Sequence, residues 1–88
     1  MPYNFSYAPR FEKHLKTLTS KEKKLTKEKL KRLAKNPAHP SLRTKRIQGT
    51  DDMYESSINM DIRVIWHFAD GVIIILADIG HHDVLKQY

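Results

Sequence analysis

The chain has 88 residues, 40% of them hydrophobic, and a net charge of +6 from 16 Lys and Arg against 10 Asp and Glu. Such a length makes one domain, residues 1–88, that buries only about two-thirds of its unfolded surface, so a large multidomain enzyme is excluded. Having no cysteine, it has no disulfide framework, thiolate metal site or cysteine nucleophile, and five scattered histidines show no ligand spacing, so neither metal nor cofactor is expected.

The opening Tyr3-Asn4-Phe5-Ser6-Tyr7 alternates aromatic and small polar residues, which suits a strand with one buried face. Pro9 fits the first turn of a helix, and Phe11, Leu15 and Leu18 give that helix one apolar stripe, leaving Arg10, Lys13, His14 and Lys16 toward water. Thr19 or Ser20 is a fitting N-cap for a second amphipathic helix over Lys21 to Lys35, with Leu25, Leu30, Leu33 and Ala34 as its apolar positions. Asn36-Pro37 ends it, and residues 36–42 read as loop. The two helices form a hairpin across a sheet.

After residue 43 the spacing turns to short runs rich in Ile and Val, predicting strands at Thr44 to Gln48, Met53 to Ile58, Ile62 to Phe68 and Val72 to Ile79. The turns are Gly49 to Asp52, Asn59 to Asp61 and Asp70-Gly71, the last a strong hairpin signal. Val72 to Ala77 is apolar on both sides and reads as the central strand, with Gly80 allowing a sharp turn at its end. The architecture expected is α+β: a mostly antiparallel sheet of four to five strands with the N-terminal helical hairpin on one face.

Alternation assigns the faces. Ile62, Val64, Trp66 and Phe68 share one side with Tyr54, Ser56 and Ile58, under the helices. Glu55, Ser57, Arg63 and His67 then gather on the open face, joined by His81, His82 and Tyr88 from beyond the last strand. Charge is divided too: residues 1–50 hold 14 Lys and Arg against three Glu, a balance of +11, and residues 51–88 hold two against seven acids, a balance of −5. A basic half can track phosphates while an acidic half supplies carboxylates, although a lysine-rich helix can equally be a solvated surface.

A base, an acid and a fixed cation are the parts that cut RNA without a metal: the base takes the 2'-OH proton, the cation stabilises the phosphorane and the acid protonates the leaving 5'-oxygen. Histidine suits the acid role because it titrates near neutrality. Each residue has a plainer reading as well. Glu55 and Arg63 can be a cross-strand ion pair, His67 a surface histidine, and His81-His82 a solvated turn.

The order of elements, with Leu42-Arg43-x-Lys45-Arg46-Ile47-x-Gly49, Tyr54-Glu55, Ile62-Arg63-Val64-Ile65-Trp66 and Asp78-Ile79-Gly80-His81-His82-Asp83, resembles the RelE/ParE superfamily of bacterial toxins over nearly the whole chain. The resemblance implies the toxin of a type II toxin–antitoxin pair. For the RelE branch it implies a cytoplasmic endoribonuclease that cuts messenger RNA in the ribosomal A site, leaving a 2',3'-cyclic phosphate and a 5'-OH. Arg63 falls on the family's strand arginine, His82 where members carry an arginine or histidine after the glycine, and Tyr88 near the C-terminal tyrosine of RelE; with Glu55 these are the expected catalytic residues, and Arg43, Lys45, Arg46, His67 and His81 are the expected substrate-binding ones. RelE itself carries lysines where this chain has Glu55 and Ser57, so the glutamate–histidine pair of the YoeB-like branches is the mechanism implied. The expected partners are a small, acidic, partly disordered antitoxin, the ribosome and mRNA. The ParE branch implies the alternative, a toxin that binds DNA gyrase without chemistry. No apolar run reaches the about 18 to 20 residues of a membrane span, and no signal peptide is expected.

Overall fold

A computed structural model describes residues 3–71 and 73–82. In chain order they form β1 (Asn4–Tyr7), α1 (Pro9–Leu15), α2 (Ser20–Lys35), a 3-10 turn (Pro40–Leu42), β2 (Lys45–Arg46), β3 (Tyr54–Ser57), β4 (Ile62–Asp70) and β5 (Ile73–His81). The strands make one sheet in the order β1-β5-β4-β3-β2. Strand β1 runs parallel to β5, and the other three pairings are antiparallel. The α+β architecture therefore stands as expected. The middle place belongs to β4 rather than to the last strand, which lies between β1 and β4.

Both helices start where their chemistry allows. Pro9 occupies the first turn of α1, where its missing N–H is not needed. Thr19 and Glu22 make a reciprocal capping box on α2: the Thr19 hydroxyl accepts from the Glu22 N–H at 3.1 Å, and the Glu22 carboxylate accepts from the Thr19 N–H at 2.8 Å. The helical hairpin buries Phe11, Leu18 and Leu33 against Ile62, Val64 and Trp66 of β4 and Ile74, Leu76 and Ile79 of β5. Thr26 is buried there too, its hydroxyl without a partner among the described residues.

Two irregularities interrupt the β4–β5 ladder, one at Ala69 between Phe68 and Asp70 and one in β5 that resets the pattern of the strand end. Trp66 pairs with Leu76 but Ile65 pairs with Asp78, so Ala77 is an extra residue, a β-bulge. Leu76 and Ile79 consequently share the helix-side core although they are three apart. Beyond the bulge, strand parity is inverted. Strand β5 also continues through Gly80 to His81 instead of turning, so the expected sharp turn at Gly80 does not occur. Gly80 stands opposite Arg63 and adds no side chain to that face.

The open face is not bare. Ile65 is fully buried beneath Ile47, with Met53 and Ala77 packed around them, because the segment after β2 folds back over the sheet. A turn with Gly49 at φ 87 and the Thr50 N–H on the Ile47 carbonyl at 3.1 Å makes this return. Strand β2 shrinks to two residues, since Ile47 donates to the Met53 carbonyl across the loop.

The segment between α2 and β2 is pinned by a relay of hydrogen bonds. The Trp66 indole N–H donates to the Ser56 hydroxyl at 2.8 Å, Ser56 meets the Thr44 hydroxyl at 2.7 Å, and Thr44 donates to the Pro37 carbonyl at 2.9 Å. Trp66 and Ser56 are almost completely buried, so Ser56→Ala leaves an indole donor that water cannot reach. Its expected loss is about 1–3 kcal/mol, read as a lower urea midpoint with an unchanged slope.

Candidate functional site

The β3–β4 turn is built by an asparagine. The Asn59 side-chain oxygen accepts from the N–H groups of Asp61 and Ile62 at 2.8 and 2.7 Å, which folds the chain back at once. Arg63, the second residue of β4, reaches back over this turn. Its Nη1 donates to the carbonyls of Asn59 and Met60 at 2.6 and 2.9 Å, and its Nε lies 3.5 Å from the Glu55 carboxylate. The two side chains are only 18% and 22% exposed, so the guanidinium is fixed in place rather than swinging in solvent. The His82 N–H donates to the Asp61 carbonyl at 2.7 Å and ties the end of β5 to the same turn. Met60, Asp61, Arg63, His81 and His82 line an open, mostly polar concavity of about 350 Å³.

Arg63 and His82 thus share the concavity at this turn, and Glu55 stands behind Arg63 as its ion-pair partner. Lys45 lies directly opposite Glu55 across the β2–β3 ladder, which puts a lysine on this face from the neighbouring strand. Arg46 pairs with Tyr54 and belongs to the other face. Arg43 is exposed before β2. His67 is not gathered with the others: it pairs with Ile75, four residues from Arg63, about 13 Å at roughly 3.3 Å per residue, and its Nδ1 lies 3.4 Å from the Phe68 carbonyl. Alternation places a side chain on a face but not beside its neighbours on that face. Tyr88 lies outside the described residues.

His81 turns to the helix side. It pairs with the core residue Ile62, and its Nε2 lies 3.2 Å from the Glu22 carboxylate. The bulge at Ala77 sets this direction. The capping pattern Thr19-x-x-Glu22 is visible in sequence, but its link to β5 is not. His14, expected in solvent, is half-buried instead, its Nδ1 2.6 Å from the fully buried Asp78 carboxylate. A carboxylate out of water needs such a partner. Among the described residues no group of three or more His, Asp or Glu is placed to hold a metal ion, and no helix is long and apolar enough to cross a membrane.

The Glu22 carboxyl is held below its ordinary value of 4.5, chiefly by the Thr19 backbone N–H, with the Thr19 hydroxyl and His81 adding to it. A depressed folded value means that this contribution is complete above the ordinary value and disappears as pH falls through the lowered one. Thermal melts of the native chain and Glu22→Gln are therefore expected to differ near neutrality and converge in acid below that window.

No protein-family model matches the chain, and no curated protein matches it in sequence. Solved structures do match. The DinJ–YafQ toxin–antitoxin complex of E. coli contains a chain that aligns with a TM-score of 0.80 and 16% identity, covering 98% of this chain and 99% of that one. The RelBE2 toxin–antitoxin complex of Mycobacterium tuberculosis gives 0.78 and 13%, with 93% and 100% covered. The E. coli toxin RelE in its free state gives 0.74 and 18%, with 98% and 90% covered. The chain has the RelE-like toxin fold, as its sequence resemblance implied.

Proposed function

We propose that this chain is the toxin of a toxin–antitoxin pair and that it cuts messenger RNA on the ribosome. The observation carrying this reading is the Arg63 guanidinium at the β3–β4 turn, held beside the Glu55 carboxylate and lining one concavity with His82. Glu55 accepts the 2'-OH proton, the freed oxygen attacks phosphorus, and Arg63 balances the added negative charge of the phosphorane. His82 gives a proton to the departing 5'-oxygen. The products are a 2',3'-cyclic phosphate and a 5'-OH, with no water consumed in the step. Lys45, across from Glu55, supplies a second cation near the scissile phosphate, and Arg43 and Arg46 extend the basic surface along the RNA. Tyr88 is proposed as a further contact of the site.

A gyrase-binding protein that performs no chemistry has no need of a proton acceptor, a proton donor and a clamped guanidinium around one turn. The test is brief expression in bacteria with mapping of message 5' ends. Cuts confined to translated regions and in phase with codons are expected. DNA damage without message cleavage would replace this reading with gyrase inhibition. The toxin reading also entails a small acidic antitoxin that folds on binding, whose addition raises the melting temperature of the chain.

A further inference from the structure

On the opposite face of the sheet, against its β2 edge, lies a second concavity of about 380 Å³ that the cleavage chemistry does not use. Its floor is aromatic. Tyr54 and Trp66 are stacked with ring centroids 4.8 Å apart at 22°, and Phe68 stands edge-on to both at 5.9 and 5.1 Å. Trp66 is buried, but Phe68 is 39% exposed, a large apolar ring left at the mouth. The wall is preformed, because the Trp66–Ser56–Thr44–Pro37 relay holds residues 37–44 against the sheet.

Arg43 and His39 bring donors to this concavity. Arg43 lines it from a backbone with φ 50, the left-handed region that a non-glycine side chain rarely enters. Its N–H closes the 3-10 turn on the Pro40 carbonyl at 3.1 Å, so the strained residue is held by its turn. Arg43 is the C-cap of this turn, a place that glycine would fill at lower conformational cost, and an exposed arginine stands there instead. His39 also lines the site, and its Nδ1 accepts from the Ser41 N–H at 3.1 Å, which leaves Nε2 to carry the ring proton as a donor. The approach is basic as well. On β2, Lys45 sits with Glu55 on the catalytic face and Arg46 with Tyr54 on this one, so consecutive cations carry positive charge around the sheet edge from one face to the other.

We propose that the concavity between residues 37–44 and the Tyr54–Trp66–Phe68 cluster is a single-nucleotide subsite, taking an unstacked RNA base against the aromatic rings and its phosphate on Arg43. The inference rests on RNA being the substrate, and it adds a second grip on the strand away from the scissile bond. Flat rings beside a planar cation suit a base with its phosphate. An acidic peptide would use the cations and leave the rings without a stacking partner.

Trp66 is the only tryptophan of the chain, so its fluorescence reports on this site directly. The full chain is titrated with a short single-stranded 2'-O-methyl oligoribonucleotide, which cannot be cut. Saturable quenching is expected, weakened about tenfold or more in Arg43→Ala and in Phe68→Leu, both at exposed positions, with melting temperatures preserved. Arg43→Gly is expected to melt higher, because glycine accepts φ 50 freely, and still to bind more weakly. Equal quenching by an abasic oligonucleotide or by inorganic phosphate overturns the subsite. So does saturation by a polyglutamate peptide with no response to RNA, or native affinity in both weakening variants. Because binding is read without cleavage, a chain that quenches in this base-dependent way yet cuts no message leaves the subsite standing and removes the ribonuclease reading instead.

Discussion

Arg63→Ala is expected to abolish growth arrest and to slow cleavage about 100-fold to 1,000-fold, the usual cost of losing one fixed donor to a developing anion, about 2.7–4 kcal/mol. The geometry makes the loss larger than a missing charge alone. In the folded chain this guanidinium is oriented before any substrate arrives, by carbonyls of Asn59 and Met60 and by Glu55. Among the described residues its bonds run through Nη1 and Nε, so on the proposed reading Nη2 is the nitrogen that meets phosphate. Lysine in its place keeps the charge but cannot span two turn carbonyls and a carboxylate at once, so Arg63→Lys should recover little of the rate. The same bonds predict a stability effect, since removing them frees the β3–β4 turn and takes from the partly buried Glu55 its ion-pair partner. Melting and single-turnover rate must therefore be measured together. A folded Arg63→Ala chain that still arrests growth would show that the arginine is only a turn clamp.

Much of the framework was legible because it depends on local rules. Pro9, the Thr19 N-cap, Asn36-Pro37 and the Asp70-Gly71 hairpin each act within a few residues, and they fell where propensity and turn chemistry put them. The faces of β3 and of β4 as far as Phe68 were legible for the same reason: period two holds as long as no residue is inserted. Ala77 is inserted, and nothing in Leu76-Ala77-Asp78 announces it. From there on, the side of the sheet on which His81 lies depends on the bulge rather than on alternation. Long-range polar partners were equally invisible. Spacing on α1 pointed His14 to solvent, but a buried carboxylate on a strand 64 residues away draws it inward. His67 was misplaced by a weaker inference, that sharing a face means sharing a site.

The bulge gives the adjacent histidines opposite fates, and this predicts a sharp contrast between them. The backbone of His82 is tied to the Asp61 carbonyl, and its side chain is exposed on the concavity that Arg63 also lines. His81 touches the rim of the same concavity, but its Nε2 is taken up by Glu22 of α2. His82→Gln should therefore slow single-turnover cleavage about 100-fold to 10,000-fold, the usual worth of a positioned proton donor, and should erase the alkaline limb of the pH–rate profile. His81→Gln should leave most of the rate and the whole alkaline limb. Its cost should appear in stability, because the tie between the end of β5 and the start of α2 is lost. That cost should be largely absent in a Glu22→Gln background, where His81 no longer faces a carboxylate, and a double-mutant cycle by urea titration reads it directly. If His81→Gln removes the alkaline limb and His82→Gln does not, then His81 is the proton donor, and the parity that the bulge imposes on the strand end is off by one residue.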